Sequence, residues 1–382
     1  MIMRTTRLGL LAATLAIVAS ACSSSGTPSP SAAAGGATST LKIGLVTDVG
    51  KLNDQNFNQY SWEGAQDGAT AIGAAAPKSA QSTVSADIKT NIQAFVDQKF
   101  DVIVTVGFAA TADTTTAAKA NPTIKFIGVD QAPCVTETGD NDPNFGCKGD
   151  SAKLLPNYQG LSFKEQQPGY LAGIVAASIS KSHHIAAIAG TASVPSNPNY
   201  TIGYFNGARA ADPTVKVEIQ YVSPAPDAKA FADPAGGKAF AQQLLGAFPD
   251  VDVLFQVAGS TGNGVLQAAC DAKINAIGVD VDQFLSTPAT KQCTVTSAEK
   301  NVHNAVMAAI QRVAAGTDRG GTLHLDITTD SIGLAPFHDF QSLITADTQA
   351  KIDKAIADLK SGAIKACVED AFGYCKNTKG QP

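Results

Sequence analysis

Asp101-Val-Ile-Val-Thr-Val-Gly107 and Asp252-Val-Leu-Phe-Gln-Val-Ala258 are two settings of one phrase: an aspartate, a five-residue run rich in β-branched and aromatic side chains, and a small residue at the turn. Each is followed about twenty residues later by a second phrase, Ile127-Gly-Val-Asp130 and Ile277-Gly-Val-Asp280. The copies are 151 residues apart where they begin and 150 where they end. Short apolar runs closed by turn residues, with room for one helix between them, are βαβ units of a parallel sheet. One such unit used twice predicts two similar α/β lobes in succession, whereas a solenoid has shorter and more numerous periods. Chance agreement between two common βαβ phrases is the competing reading.

Outward from these phrases the alternation continues. Strand-like runs lie at Leu41 to Thr47, Val102 to Val106, Ile124 to Val129, His184 to Ile188, Val215 to Val222, Val253 to Val257 and Ile274 to Val279. Ala-rich segments of helical length fall between and after them, at Gly169 to Ser180, Lys238 to Ala247, Asn301 to Ala315 and Asp347 to Leu359. Because the strands are apolar throughout rather than alternating, both faces of each sheet are expected to be covered. The fold class is therefore α/β, with two doubly wound parallel-sheet lobes and a cleft between them. The lobes join near Leu161 to Lys164, with further chain crossings expected near Phe284 to Thr294 and near Asp326. That assigns 41–162 plus 290–325 to lobe 1 and 163–289 plus 326–382 to lobe 2.

Composition narrows the function. The 382 residues are 44% hydrophobic and 16% charged, with a formal net charge of -5, so no global positive field exists to hold nucleic acid. No acidic residue precedes Asp48. Arg4 and Arg7 followed by the apolar stretch Leu8 to Ala21 read as a secretory signal peptide over 1–21, too short to cross a bilayer as a helix. It ends at Val18-Ala19-Ser20-Ala21-Cys22, which resembles a bacterial lipobox and makes Cys22 the lipid-modified first residue of the mature chain. Cleavage as an ordinary signal peptide near Ala21 is the alternative. Ser23 to Ser39 carries no charge and no large apolar residue, so 22–40 reads as a lipidated cysteine and a flexible tether.

Of the seven cysteines, six remain after Cys22. An even set in an exported chain suggests disulfides, and proximity favours Cys134 with Cys147, Cys270 with Cys293 and Cys367 with Cys375, without dictating that connectivity. No CxxC pair and no Cys/His group of zinc spacing occurs, and neither metal nor cofactor is expected. Gly259-Ser-Thr-Gly-Asn-Gly264 lacks the Lys-Ser/Thr that completes a phosphate loop, and there is no HExxH or GxSxG. The opening Thr47-Asp-Val-Gly-Lys-Leu-Asn-Asp54 is faintly similar to the calcium-binding start of nucleoside hydrolases but has no adjacent Asp pair to share a metal. The chain is not expected to be an enzyme.

In open parallel sheets, ligands bind beyond the carboxyl ends of the strands. Asp48, Asp130 and Asp280 each stand at such an end. If the lobes face each other these carboxylates converge, offering acceptors to hydroxyl or N–H donors, which is sugar or nucleoside chemistry rather than phosphate chemistry.

Six motifs in order carry a family resemblance: Ile43 to Asn58 followed by Trp62-Glu-Gly64, Leu161 to Gly173, Gly203-Tyr-Phe-Asn-Gly207, Ala258 to Val265, Ile277 to Gln283, and Thr296-Ser-Ala-Glu-Lys300. Over residues 41 to 340 the chain resembles the basic membrane protein family of ABC-transporter substrate-binding lipoproteins, which includes purine nucleoside receptors. The resemblance implies type I periplasmic binding protein architecture and a nucleoside held between the lobes, its base stacked between aromatic rings and its ribose bound by an Asp and a Lys. Carried onto this chain, Asp48, Asn53, Phe57 and Asn58 belong to the loop leaving the first strand, with Phe57 as one stacking ring. Tyr200 and Tyr204 compete for the opposite ring. Asp113 or Asp130 would hold the base edge, Gly259 and Gly262 would admit the ligand to the backbone, and Asp280 or Asp282 with Lys300 would take the ribose.

Each residue also has a plainer role to play. Phe57 could pack under its loop, Asn53 and Asp54 could turn and cap the following helix, Asp130 and Asp280 could cap helices, and Lys300 could be solvated. The resemblance further implies an ABC permease as partner, no nucleic acid, a monomer, and a lipid anchor at Cys22 on the extracytoplasmic face of the cell membrane. A ligand sensor for a membrane signalling partner, and an ABC receptor for a sugar or other small metabolite, are the alternatives. Past Phe337 the likeness fades, and the Cys367 to Cys375 loop and the Lys376 to Pro382 tail are expected to fray.

Overall fold

Five strands carry the chain through its first sheet: β1 (Ile43–Val49), β2 (Lys78–Ser82), β3 (Val102–Val106), β4 (Lys125–Val129) and β5 (Tyr158–Phe163). A second series follows as β6 (His184–Ala189), β7 (Lys216–Tyr221), β8 (Val253–Val257), β9 (Asn275–Asp280) and β10 (Thr294–Lys300). Two late strands, β11 (Gly321–Leu325) and β12 (Ile332–Leu334), add one edge to each. In space the sheets run β2-β1-β3-β4-β5-β11 and β7-β6-β8-β9-β10-β12, the same order twice. All pairings are parallel except β12, which runs antiparallel to β10. The two copies of the opening phrase are β3 and β8, the central strands, and every residue of both is buried. These features belong to a computed structural model that describes residues 39–370 and 373–376. The expected signal peptide, Cys22, nearly all of the tether and the tail from 377 onward lie outside the described residues.

Helices cover both faces of both sheets, as the continuous apolar strands require. Their ends follow local chemistry. Asp233 accepts the Gly236 N–H ahead of Pro234–Ala247, with proline at the first helical position. Thr345 caps Ala346–Ser361, which stops at Gly362 in the left-handed region at φ 75°. Helices Gln166–Ile179 and Ser196–Ala211 touch backbone to backbone: a Cβ on Gly173 would lie 2.0 Å from the Tyr204 carbonyl oxygen, and one on Gly207 1.9 Å from that of Tyr170. The glycines of two of the six motifs are therefore packing residues. Among the described residues, no helix is long and apolar enough to cross a membrane.

The chain passes between sheets after β5, after β10 and after β11. The second passage corrects the expected one. Thr294–Lys300 pairs with β9, Ala298 opposite Val279, so it belongs to the second sheet, and the return to the first begins at Asn301 rather than near 290. The strand escapes notice because its hydroxyls are satisfied internally: Thr296 donates to the Ala335 carbonyl at 2.7 Å and Ser297 accepts the Gln283 N–H at 3.0 Å. A polar sequence can thus be a buried strand.

Three disulfides join Cys134 to Cys147, Cys270 to Cys293 and Cys367 to Cys375, with Cα separations of 4.7, 5.3 and 5.6 Å. The last closes a hairpin whose described residues, 367–370 and 373–375, are docked rather than frayed. Glu369 meets Lys164 Nζ at 2.5 Å and Gln166 Nε2 at 2.7 Å, and the Cys375 N–H donates to Asn199 at 2.8 Å.

Candidate functional site

The carboxyl ends of β1, β3 and β4 meet those of β6, β8, β9 and β10 across a cleft of about 590 Å³, partly open to solvent. Asp48, Asp54, Phe57, Asn58, Gly107, Phe108 and Asp130 line it from the first lobe. Ser196, Asn197, Tyr200, Phe231, Gly259, Asp280 and Lys300 line it from the second.

Lys300 is the electrostatic centre, with its side chain only 2% exposed. Its ammonium lies 2.6 Å from Asp130 Oδ2, 3.5 Å from Asp280 Oδ1 and 3.6 Å from Glu165 Oε1. It also sits over the Phe57 ring, 4.8 Å from the centroid. Burial alone would pull its pKa down, but the three carboxylates outweigh that and hold it above its usual value. The carboxylates bear the opposite strain. Burial pushes Glu165 up to about 7 against the pull of Lys300, and raises Asp130 despite the ion pair. Asp48 is pushed up to about 7 and Asp54 to about 6, also by burial, the backbone N–H groups they accept offsetting only part of it. Asp130 Oδ1 is buried and has no hydrogen-bond partner among the described residues, an acceptor that a ligand donor would satisfy.

The backbone is shaped to present these groups. Asp130 and Asp280, at equivalent strand ends of the two lobes, both take positive φ, 57° and 65°, which aspartate tolerates better than most residues. Gly107 at φ 92° lets Asp48 lie across it, since a Cβ there would be 2.0 Å from Asp48 Oδ2. Asn58 is buried and accepts the Asp48 N–H at 3.0 Å, fixing the loop rather than filling it. Asp54 accepts the N–H groups of Asn56, Asn58 and Gln59, so it caps the first helix while also lining the cleft.

Of the expected site residues, Asp48, Phe57, Asn58, Asp130, Tyr200, Gly259, Asp280 and Lys300 come together. Five stand apart. Asn53 is exposed on the loop, and Asp113 is half-buried on helix Thr111–Ala120 away from the cleft lining. Tyr204 is fully buried against Phe255, ring centroids 5.0 Å apart, one helical turn too far from the cleft. Gly262 makes room for Gln256, whose Oε1 would lie 1.6 Å from a Cβ there. Asp282 caps the next helical turn and pairs with His338 at 2.7 Å. Conversely, Tyr200 donates to Asp280 Oδ1 at 3.0 Å, so its hydroxyl supports the cluster. Glu165, Phe108 and Phe231 were not anticipated. Glu165 lies inside a quoted motif as its only acidic residue, a signal that was available; Phe231 ends the four-residue helix Ala228–Phe231, where neither strand end nor spacing marks it.

Two α/β lobes of identical strand order, closing on a buried polar cleft at their strand ends, define the class of two-lobed solute-binding proteins. The family model described as "ABC transporter substrate-binding protein PnrA-like" matches residues 41–365, and the chain belongs to that family of substrate-binding proteins. It is 28% identical over 341 residues to the CD4+ T-cell-stimulating antigen of Listeria monocytogenes, covering 85% of this chain and 87% of that one. It is 30% identical over 262 residues to the ABC transporter nucleoside-binding protein BmpA of Lactococcus lactis, covering 64% of each. Among solved structures, an ABC transporter solute-binding protein from Aeropyrum pernix superposes with a TM-score of 0.71 at 24% identity, covering 85% of this chain and 92% of the other.

Proposed function

We propose that this protein is the receptor of an ABC importer for a nucleoside, held in the cleft and delivered to a membrane permease without chemical change. The observation that carries the reading is the pairing, in one cleft, of aromatic rings from opposite lobes with a lysine–carboxylate cluster. Phe57 and Phe231 line the same space, one per lobe. A flat base offers a π-face to both, and each such stack is worth ~1–3 kcal/mol. Beside them, Asp280, Asp130 and Lys300 supply acceptors and a donor, the complement of a vicinal diol whose hydroxyls both donate and accept. Asp48 and Asp54 suit N–H donors of a base edge. With Asp48, Asp54, Asp130 and Asp280 lining the cleft against one ammonium, a phosphate ester would meet surplus negative charge, which favours a nucleoside over a nucleotide.

Binding works through closure. The ligand contacts both lobes only when they approach, so it shifts the population toward the closed form that the permease recognises. The basic and apolar leader ending at Cys22 supports tethering of the receptor to the outer face of the membrane.

A thermal-shift screen of nucleosides, free bases and sugars tests the reading. Nucleosides should raise Tm, and Phe57→Ala and Phe231→Ala should each weaken binding roughly 10- to 100-fold. Stabilisation by sugars alone would replace the nucleoside with a saccharide.

A further inference from the structure

The C-terminal hairpin lies beyond the region where the chain resembles its family, yet it reaches the cleft. The Cys375 N–H, which can only donate, points at Asn199 Oδ1 at 2.8 Å. That fixes the amide orientation, so Asn199 Nδ2 faces the other way and donates to Glu165 Oε2 at 3.0 Å. The other oxygen of Glu165 lies 3.6 Å from Lys300, the cation that grips Asp130 at 2.6 Å. On its far side the hairpin holds both sequence neighbours of Glu165, through Glu369 to Lys164 and Gln166. Tyr374, on the same hairpin, shares a small chamber with Glu165 and Asp130 next to the main cleft.

We propose that the Cys367–Cys375 hairpin is a working part of the ligand site, in which Asn199, itself held by the Cys375 N–H, is the positioning residue that keeps the Glu165 carboxylate directed at Lys300. The proposal rests on the cleft being the ligand site. It assigns the disulfide a purpose: without it, the loop gains conformational freedom that its hydrogen bonds must overcome, and the Asn199 contact loosens. Since Glu165 sits where the chain first passes between lobes, the hairpin also braces one of the hinge segments.

The groups facing Glu165 are Lys300 from β10, Asp130 from the end of β4, Tyr200 and Asn199 from helix Ser196–Ala211, and Tyr374 from the hairpin. Of these, Lys300 and the Asn199 amide favour the charged carboxylate, while burial and Asp130 oppose it. Removing the amide donor must therefore move the Glu165 titration to higher pH, whatever the ligand is.

The test uses the full chain as wild type, Asn199→Leu and the double variant Cys367→Ser/Cys375→Ser. The Glu165 carboxyl is followed by 13C NMR without ligand, and guanosine affinity is measured by calorimetry at pH 8. Both variants should titrate at higher pH than the wild type and bind guanosine roughly tenfold more weakly, the order of one hydrogen bond to a charged group. If the double variant does not fold, Asn199→Leu decides. An unchanged Glu165 midpoint in folded variants would overturn the proposal, whatever happens to affinity. Silence of the wild type toward every nucleoside, with the midpoint shifted in the variants, would remove the nucleoside reading and leave the positioning role standing.

Discussion

Lys300 is surrounded by more negative charge than it can neutralise, and that imbalance governs the behaviour of single residues. Its substitution by Met leaves Asp130, Asp280 and Glu165 buried without a counter-charge. Breaking a buried ion pair from one side costs ~3–5 kcal/mol. Lys300→Met should lose about that much stability at pH 8 and clearly less at pH 5, where Glu165 and Asp130, already raised by burial, take up protons; urea unfolding at both values checks it. The ligand-free wild type carries a related signature. Asp48 and Glu165 at about 7 and Asp54 at about 6 hold protons in the folded state that the unfolded chain has already released. Their stabilising contribution is complete below the unfolded values near pH 4 and is lost as pH rises through 6 to 7. Tm should therefore fall between pH 5.5 and pH 8, and a flat or rising calorimetric profile would contradict these environments. At this scale Asp48, Asp130, Asp280, Phe57 and Lys300 were legible because each sits at a strand end or in a motif. The choice between Tyr200 and Tyr204 was not: they are four residues apart on one helix, both buried and both packed on Phe255, and only the reach of the Tyr200 hydroxyl to Asp280 shows which one lines the cleft.

The elements that could be read were those whose hydrophobic pattern agrees with their position. The central strands β3 and β8 are buried throughout and were read correctly, to the residue. The polar strands β5 and β10 and the edge strands β2, β11 and β12 were not read, because edges and interspersed polar residues erase the apolar signal. Missing β10 is what displaced the expected second crossing. Where a strand meets the site, the turn chemistry is decisive. Gly107→Ala combines a positive φ with a Cβ 2.0 Å from Asp48 Oδ2, so it should cost about 1–3 kcal/mol and push Asp48 out of the cleft. Chemical denaturation would show the first effect, and a nucleoside affinity lowered at least tenfold, measured by calorimetry, the second.

The whole molecule is one strand order used twice, joined by three passages of the chain from one sheet to the other. The duplication was visible in the sequence as a repeat of about 150 residues, and with it the cleft, since equal lobes place equal strand ends opposite one another. What the repeat could not show is the disulfide hairpin, which belongs to neither copy. Two lobes joined only by three passages should close on a ligand, and small-angle scattering with saturating nucleoside should give a smaller radius of gyration than the ligand-free protein. Saturation at about 100 times Kd should also add ~2.7 kcal/mol to the unfolding free energy.

The most direct measurement is calorimetric titration of the protein with guanosine, inosine, adenosine, cytidine and ribose in turn. Saturable, one-to-one binding of at least one nucleoside, with none detectable for ribose, is the result this account predicts. Silence toward all the nucleosides from a folded protein, or binding of ribose as tight as that of any nucleoside, would contradict a cleft built around a stacked base.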